Sequence, residues 1–132
     1  MSLRVKLVVP EGEVWAGTAE RVVAKTLDGD IGILGGHTPV LGILAPGSVV
    51  RILPENSTSD GWIHAAVGDG FLSVADNRVS ILARQAMLGS DVDKAAARAA
   101  LESTLGAAPG SEDESAAAGY LRAQLRAAGE EA

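Results

Sequence analysis

The chain has no cysteine, which excludes disulfide staples and thiolate chemistry and is compatible with a reducing compartment. Aromatic side chains make up only 3%, so Val, Ile, Leu and Ala must build any core. No apolar run approaches the roughly 18 residues that would span a bilayer. The opening Met1-Ser-Leu-Arg-Val-Lys6 lacks the apolar stretch of a signal peptide, so the expectation is a protein that stays in the cytosol. Basic stripes are missing as well. The net charge is −6, and a nucleic-acid binder would show the opposite bias on at least one face. His37 and His64 are the only histidines, and no His/Cys/Asp cluster has ligand spacing. Neither a metal nor a cofactor is expected.

What is present is a globular composition in 132 residues, with 47% hydrophobic side chains, enough for one domain or a domain with an appendage. Leu3, Val5, Leu7 and Val9 alternate with Arg4, Lys6 and Val8, a period of two. Further strands read over Arg21–Leu27, Ser48–Leu53, Trp62–Val67, Phe71–Ala75 and Arg78–Ala83, separated by Gly, Pro, Asn and Asp turns. Asp69-Gly70 and Asp76-Asn77 read as tight hairpin turns. The absence of a long amphipathic helix before residue 90 argues against a parallel α/β sheet and for an antiparallel sandwich or barrel.

The pattern changes after Gly89. Alanine is dense from here on, and helix propensity rises with it. Ser90 or Asp91 can cap a first helix from about Val92 to Leu105, ending at Gly106. Residues 107–114 form a connector, and Ser115 opens a second helix reaching Ala128 before Gly129. Its apolar stripe is expected at Ala117, Leu121, Leu125 and Ala128. Alanine buries little area, so the hairpin is expected to dock weakly, on the sandwich or on itself.

Reactive chemistry is thin. The run Asp28 to Leu41 holds glycines at 29, 32, 35 and 36 and then His37-Thr38-Pro39, but it forms neither a P-loop nor a dinucleotide fingerprint. Its glycines imply sharp turns and close backbone approach, hence a shaped surface. Ser48, Ser73 and Ser80 have no nucleophile-elbow context. Arg122 and Arg126 lie four apart on the second helix, as a solvated face or as a two-pronged contact to an acidic segment or a phosphate.

Several linked segments resemble the epsilon subunit of the bacterial F-type ATP synthase. They are Val5-Lys-Leu-Val-Val-Pro10, Trp15-Ala-Gly17, Gly29-Asp-Ile-Gly-Ile-Leu-Gly-Gly-His-Thr-Pro-Val-Leu41, Gly68-Asp-Gly-Phe-Leu-Ser-Val74 and the junction Ala83 to Asp93. The resemblance covers essentially the whole chain. It implies a non-catalytic rotor subunit, with a β-sandwich of about ten strands (1–88) that binds the gamma subunit and the c-ring, followed by a regulatory helical hairpin (89–132). It implies that the subunit is peripheral to the cytoplasmic face of the cell membrane and serves proton-driven ATP synthesis. Asp30 and His37 match the loop that meets the c-ring. Arg98, Arg122 and Arg126 match arginines that face an acidic segment of the beta subunit when the extended helices inhibit hydrolysis. The acidic end at Glu130 and Glu131 suits that contact poorly, so weak inhibition is expected.

Some members bind ATP through a first-helix motif. Here Asp93 is kept, with Arg122 and Arg126 on the second helix, but Ala96 stands for the motif arginine and Ser103 for a later one. Without those charges useful ATP binding is not expected. A stand-alone β-sandwich ligand-binding module is the alternative reading. A small hydrolase assembled from distant strands is a third.

Overall fold

The structure is a computed structural model that describes residues 2–57, 61–106 and 112–130. Among these, nine strands come first: β1 (Leu3–Val9), β2 (Gly12–Thr26), β3 (Gly29–Leu34), β4 (Val40–Ile43), β5 (Ser48–Pro54), β6 (Ile63–Val67), β7 (Gly70–Ala75), β8 (Arg78–Ala83) and β9 (Ala86–Leu88). A 3-10 turn at Gly89–Asp91 leads to two helices, α1 (Lys94–Gly106) and α2 (Glu112–Ala127).

The strands hydrogen-bond in the order β4-β7-β8-β1-β2-β5-β6-β9, with β3 also on β2. The pairings are antiparallel except for β1 with β8, which is parallel. β2 joins the layers. Residues 12–19 pair with β1, and residues 21–26 pair with β3 while β5 takes the other edge. The β2–β5 register slips between Ala19 and Arg21. Such an irregularity bends a strand and lets it pass from one layer to the next. The far strand β9 comes back within contact of β1, so the path folds into a sandwich.

Alternation in β1 sets the core. Leu3, Val5 and Leu7 are buried while Arg4 and Lys6 are exposed. Val22, Ala24, Val50, Ile52 and Val67 meet them from one layer, and Leu72, Val79 and Ile81 from the other. Each large aliphatic adds about 1.5–3 kcal/mol on full burial, which is how a core almost without aromatics suffices.

Asp76 and Asn77 take φ of 51° and 60°, the left-handed pair that joins β7 to β8 in a tight hairpin. Asp69-Gly70 is different from the expectation. It joins β6 to β7, which lie in different layers and do not pair, so it is a crossover and not a hairpin turn. Gly70 is needed there for another reason: a Cβ would strike the Leu82 carbonyl of β8. The glycine-rich run also differs. Residues 29–34 form the regular strand β3, and within the run only Gly29 and Gly36 have positive φ, at 119° and 80°.

The helical caps shift as well. Ser90 and Asp91 belong to the 3-10 turn, and the Asp93 carboxylate accepts the Ala96 N–H at 3.0 Å as the α1 N-cap. The stretch 107–111 lies outside the described residues, and α2 begins at Glu112, ahead of Ser115. On α2 Ala117 is exposed, whereas Ala118, Ala123, Leu125 and Ala127 are buried. A single stripe fails because α2 packs on two sides, against α1 and against β5 and β6. Ala123 and Ala127 meet Ala66 and Val49 on the sheet, and Tyr120 closes the seam.

Candidate functional site

Asp30 and His37 stand at opposite ends of β3. Asp30 lies across from Lys25 beside the β2–β3 hairpin tip, both exposed. That tip is fixed by Thr26, whose hydroxyl donates to the Gly29 carbonyl at 2.8 Å and accepts the Asp28 N–H at 3.2 Å. Leu27 at the tip is 64% exposed. From Asp30 to the end of β3 at Leu34 the strand runs about 13 Å, and His37 lies beyond it. His37 is half-buried, with its Nδ1 2.6 Å from the Thr38 carbonyl. A carbonyl only accepts, so Nδ1 carries the proton in this contact and Nε2 is left as the acceptor of the neutral ring. The turn before it is tied down where the Gly36 N–H donates to Asn77 Oδ1 at 2.7 Å. The structure therefore does not bring Asp30 and His37 into one patch.

Two of the three helix arginines are engaged in the docked hairpin. Arg98 Nη2 donates to Glu130 Oε2 at 2.8 Å, and Lys94 Nζ lies 3.7 Å from the other oxygen of the same carboxylate. Arg126 Nη2 donates to the Gly47 carbonyl at 2.8 Å, tying α2 to the turn between β4 and β5. Arg122 is half-buried on α2. Asp93 is committed to its capping role, and no ion pair among the described residues joins it to Arg122 or Arg126. Glu131 lies outside the described residues.

One surface escaped the sequence reading. Ile43 of β4 lies across from Phe71 of β7, Phe71 across from Leu82 of β8, and Leu82 across from Val8 of β1. Opposed residues share a face, so these four form an apolar row on the outside of the sandwich, with Leu41 two positions from Ile43 on the same side. Leu41 is 72% exposed and Phe71 47%. Beside the row, Val8, Val9, Pro10, Phe71 and Leu82 line an apolar hollow of about 510 Å³. The signal was available: Phe71-Leu72 and Ile81-Leu82 each place a large apolar residue at an outward position.

The surfaces offer contact more than chemistry. The Ser48 hydroxyl is spent on the Ala45 carbonyl at 2.6 Å, and among the described residues no group of three His, Cys, Asp or Glu side chains could hold a metal. A sandwich with an apolar outer row and a docked helical hairpin has the kind of surface that partner subunits cover. The sequence matches the family described as ATP synthase, Delta/Epsilon chain, beta-sandwich domain over residues 2–89. A protein of Thermobifida fusca named ATP synthase epsilon chain is 50% identical over 127 residues, covering 96% of this chain and 91% of its own length. A second protein of that name, from Frankia casuarinae, is 52% identical over 88 residues, 67% of this chain and 99% of that one. In fold, the chain is similar to one in the Euglena gracilis mitochondrial ATP synthase OSCP/F1/c-ring structure, at TM-score 0.77 and 20% identity over 96% of this chain and 81% of that one.

The chain belongs to the ATP synthase delta/epsilon chain family. Its place is that of a non-catalytic stalk subunit, associated with the ATP synthase complex and through it with the membrane. No helix among the described residues is long and apolar enough to cross a membrane.

Proposed function

We propose that this subunit couples the gamma subunit to the c-ring during proton-driven ATP synthesis, peripheral to the cytoplasmic face of the cell membrane. The apolar row Ile43, Phe71, Leu82 and Val8 carries this reading. Contiguous exposed apolar side chains mark partner surfaces, and a stalk contact that must bear torque needs such area. In this reading gamma docks on that face. The c-ring meets the β2–β3 tip, where Leu27, Asp28 and Asp30 project. His37 sits close to Leu41 in sequence and at the far end of β3 from Asp30, so it goes with the gamma face instead of the ring.

Residues 1–88 then form the rotor-binding unit and 89–132 the regulatory unit. Undocked, α1 and α2 release Arg98 and Arg126 from Glu130 and Gly47 and present them with Arg122 to an acidic segment of the beta subunit, blocking hydrolysis. With Asp93 used as a cap and Ala96 in the motif position, nucleotide binding of the family's first-helix type is not expected of these helices. Reconstitution tests the coupling role. Asp30→Arg should cut proton-driven ATP synthesis several-fold while the complex with gamma persists. An unaffected rate, or no association of the wild-type chain with cognate gamma, would count against it.

A further inference from the structure

A second face of the sandwich carries charge where the first carries apolar side chains. Across three strands, Val23 lies opposite Arg51 and Arg51 opposite His64. Two positions from Val23, Lys25 lies opposite Asp30. Opposed residues and residues two apart share a face, so Lys25, Asp30, Arg51 and His64 all stand on one side of this layer. α2 covers only the adjoining part, where Ala123 meets Ala66 and Val49. The uncovered part is a groove of about 500 Å³, closed on one side by the turn at Gly47 and by Arg126 of α2.

Lys25, Arg51 and Arg126 face a single carboxylate, Asp30, in a chain whose net charge is −6. Two of these cations are held in place. The Arg51 guanidinium stacks over Trp62, 5.8 Å from the ring centroid. Arg126 spends one of its five N–H donors on the Gly47 carbonyl at 2.8 Å, which fixes its head at the rim. Positioned guanidiniums with donors to spare match the oxygens of a phosphate group. We propose that this groove binds a multivalent phosphate-type oxyanion, gripped by Arg51 and Lys25 of the sheet and by Arg126 of the docked helix. The groove makes no use of Asp93.

Calorimetry of the full chain with pyrophosphate at low salt tests the site. Saturable binding is expected, weakened about tenfold in Arg51→Gln and in Lys25→Gln and tightened several-fold in Asp30→Asn. All three side chains are exposed, so thermal unfolding should show the variants folded. The same series with ATP separates a free phosphate from the phosphate chain of a nucleotide, and binding weakened about tenfold in Arg51→Gln supports the groove with either probe. No saturable binding of pyrophosphate, or binding of either probe indifferent to both sheet substitutions, overturns the proposal. The experiment needs neither gamma nor the c-ring, so its failure leaves the stalk role untouched.

Discussion

His64 stands on β6 across from Arg51, and two effects hold its imidazole below the ordinary range: burial first, then the nearby guanidinium. The unfolded chain therefore binds the proton more readily than the fold does. The residue costs no stability above the ordinary histidine pKa of about 6.5, and stability is lost as the pH falls below that value. Urea unfolding across acidic pH should show a shallower loss in His64→Gln than in the natural chain, and identical slopes would contradict this account. NMR titration gives a second check, since Arg51→Gln should raise the His64 midpoint only in part, burial being the larger cause. Residues of β1 were legible from sequence because their neighbours in the chain define the alternation. The convergence of Lys25, Arg51 and His64 was not, because it is set by the pairing of β2, β5 and β6 across long separations. The separation of Asp30 from His37 was hidden in the same way. A run of glycines reads as a compact loop, and only pairing with β2 stretches its first half into a strand.

At the scale of elements, α2 is seated by small residues that let backbones approach. A Cβ on Gly47, which has φ of 67°, would lie 2.8 Å from the Gly119 backbone of α2. A Cβ on Gly89 would strike the Ala127 carbonyl at the end of α2. Between these points Ala123 lies against Ala66. Such a seam allows close docking with little apolar area, so its stability is low by construction. Gly89→Ala should push α2 off the sheet and spare the sandwich, since Gly89 follows β9 and its φ is not positive. Overpacking of this kind costs about 1–3 kcal/mol, so hydrogen exchange of the Ala123 to Ala127 amides should speed up about 5- to 150-fold, with β5 and β6 unchanged. Equal exchange in the variant would mean that Gly89 does not hold the helix down. The helices themselves were foreseeable from alanine content and from Gly129. Their buried positions were not, because α2 has two partners and neither is visible in its own periodicity. The same holds for Asp69-Gly70, whose residues suit a hairpin although the strands they join belong to different layers.

For the whole molecule, the order β4-β7-β8-β1-β2-β5-β6-β9 makes one continuous core that owes nothing to the helices. Removing residues 91–132 would uncover the seam at Val49 and Ala66 and the α2 contacts at Gly47, Met87 and Gly89, none of which belongs to the main core. The truncated chain should therefore fold, assemble with the complex and raise ATP hydrolysis, measured on the purified enzyme; unchanged hydrolysis would argue against an inhibitory hairpin. In the proposed reading the two broad faces divide the work, with the apolar row on the β4-β7-β8-β1 layer for a permanent partner and the charged groove on the other for a soluble anion. The central claim is that the apolar row is the gamma contact, and the affinity of the full chain for cognate gamma tests it most directly. Phe71 lies at the middle of the row and is exposed, so Phe71→Asp should keep the thermal stability of the natural chain. A central aromatic anchor is worth about 2 kcal/mol or more at an interface, so the variant should bind gamma at least about 30-fold more weakly. Equal affinities of the natural chain and a folded Phe71→Asp variant would contradict the account.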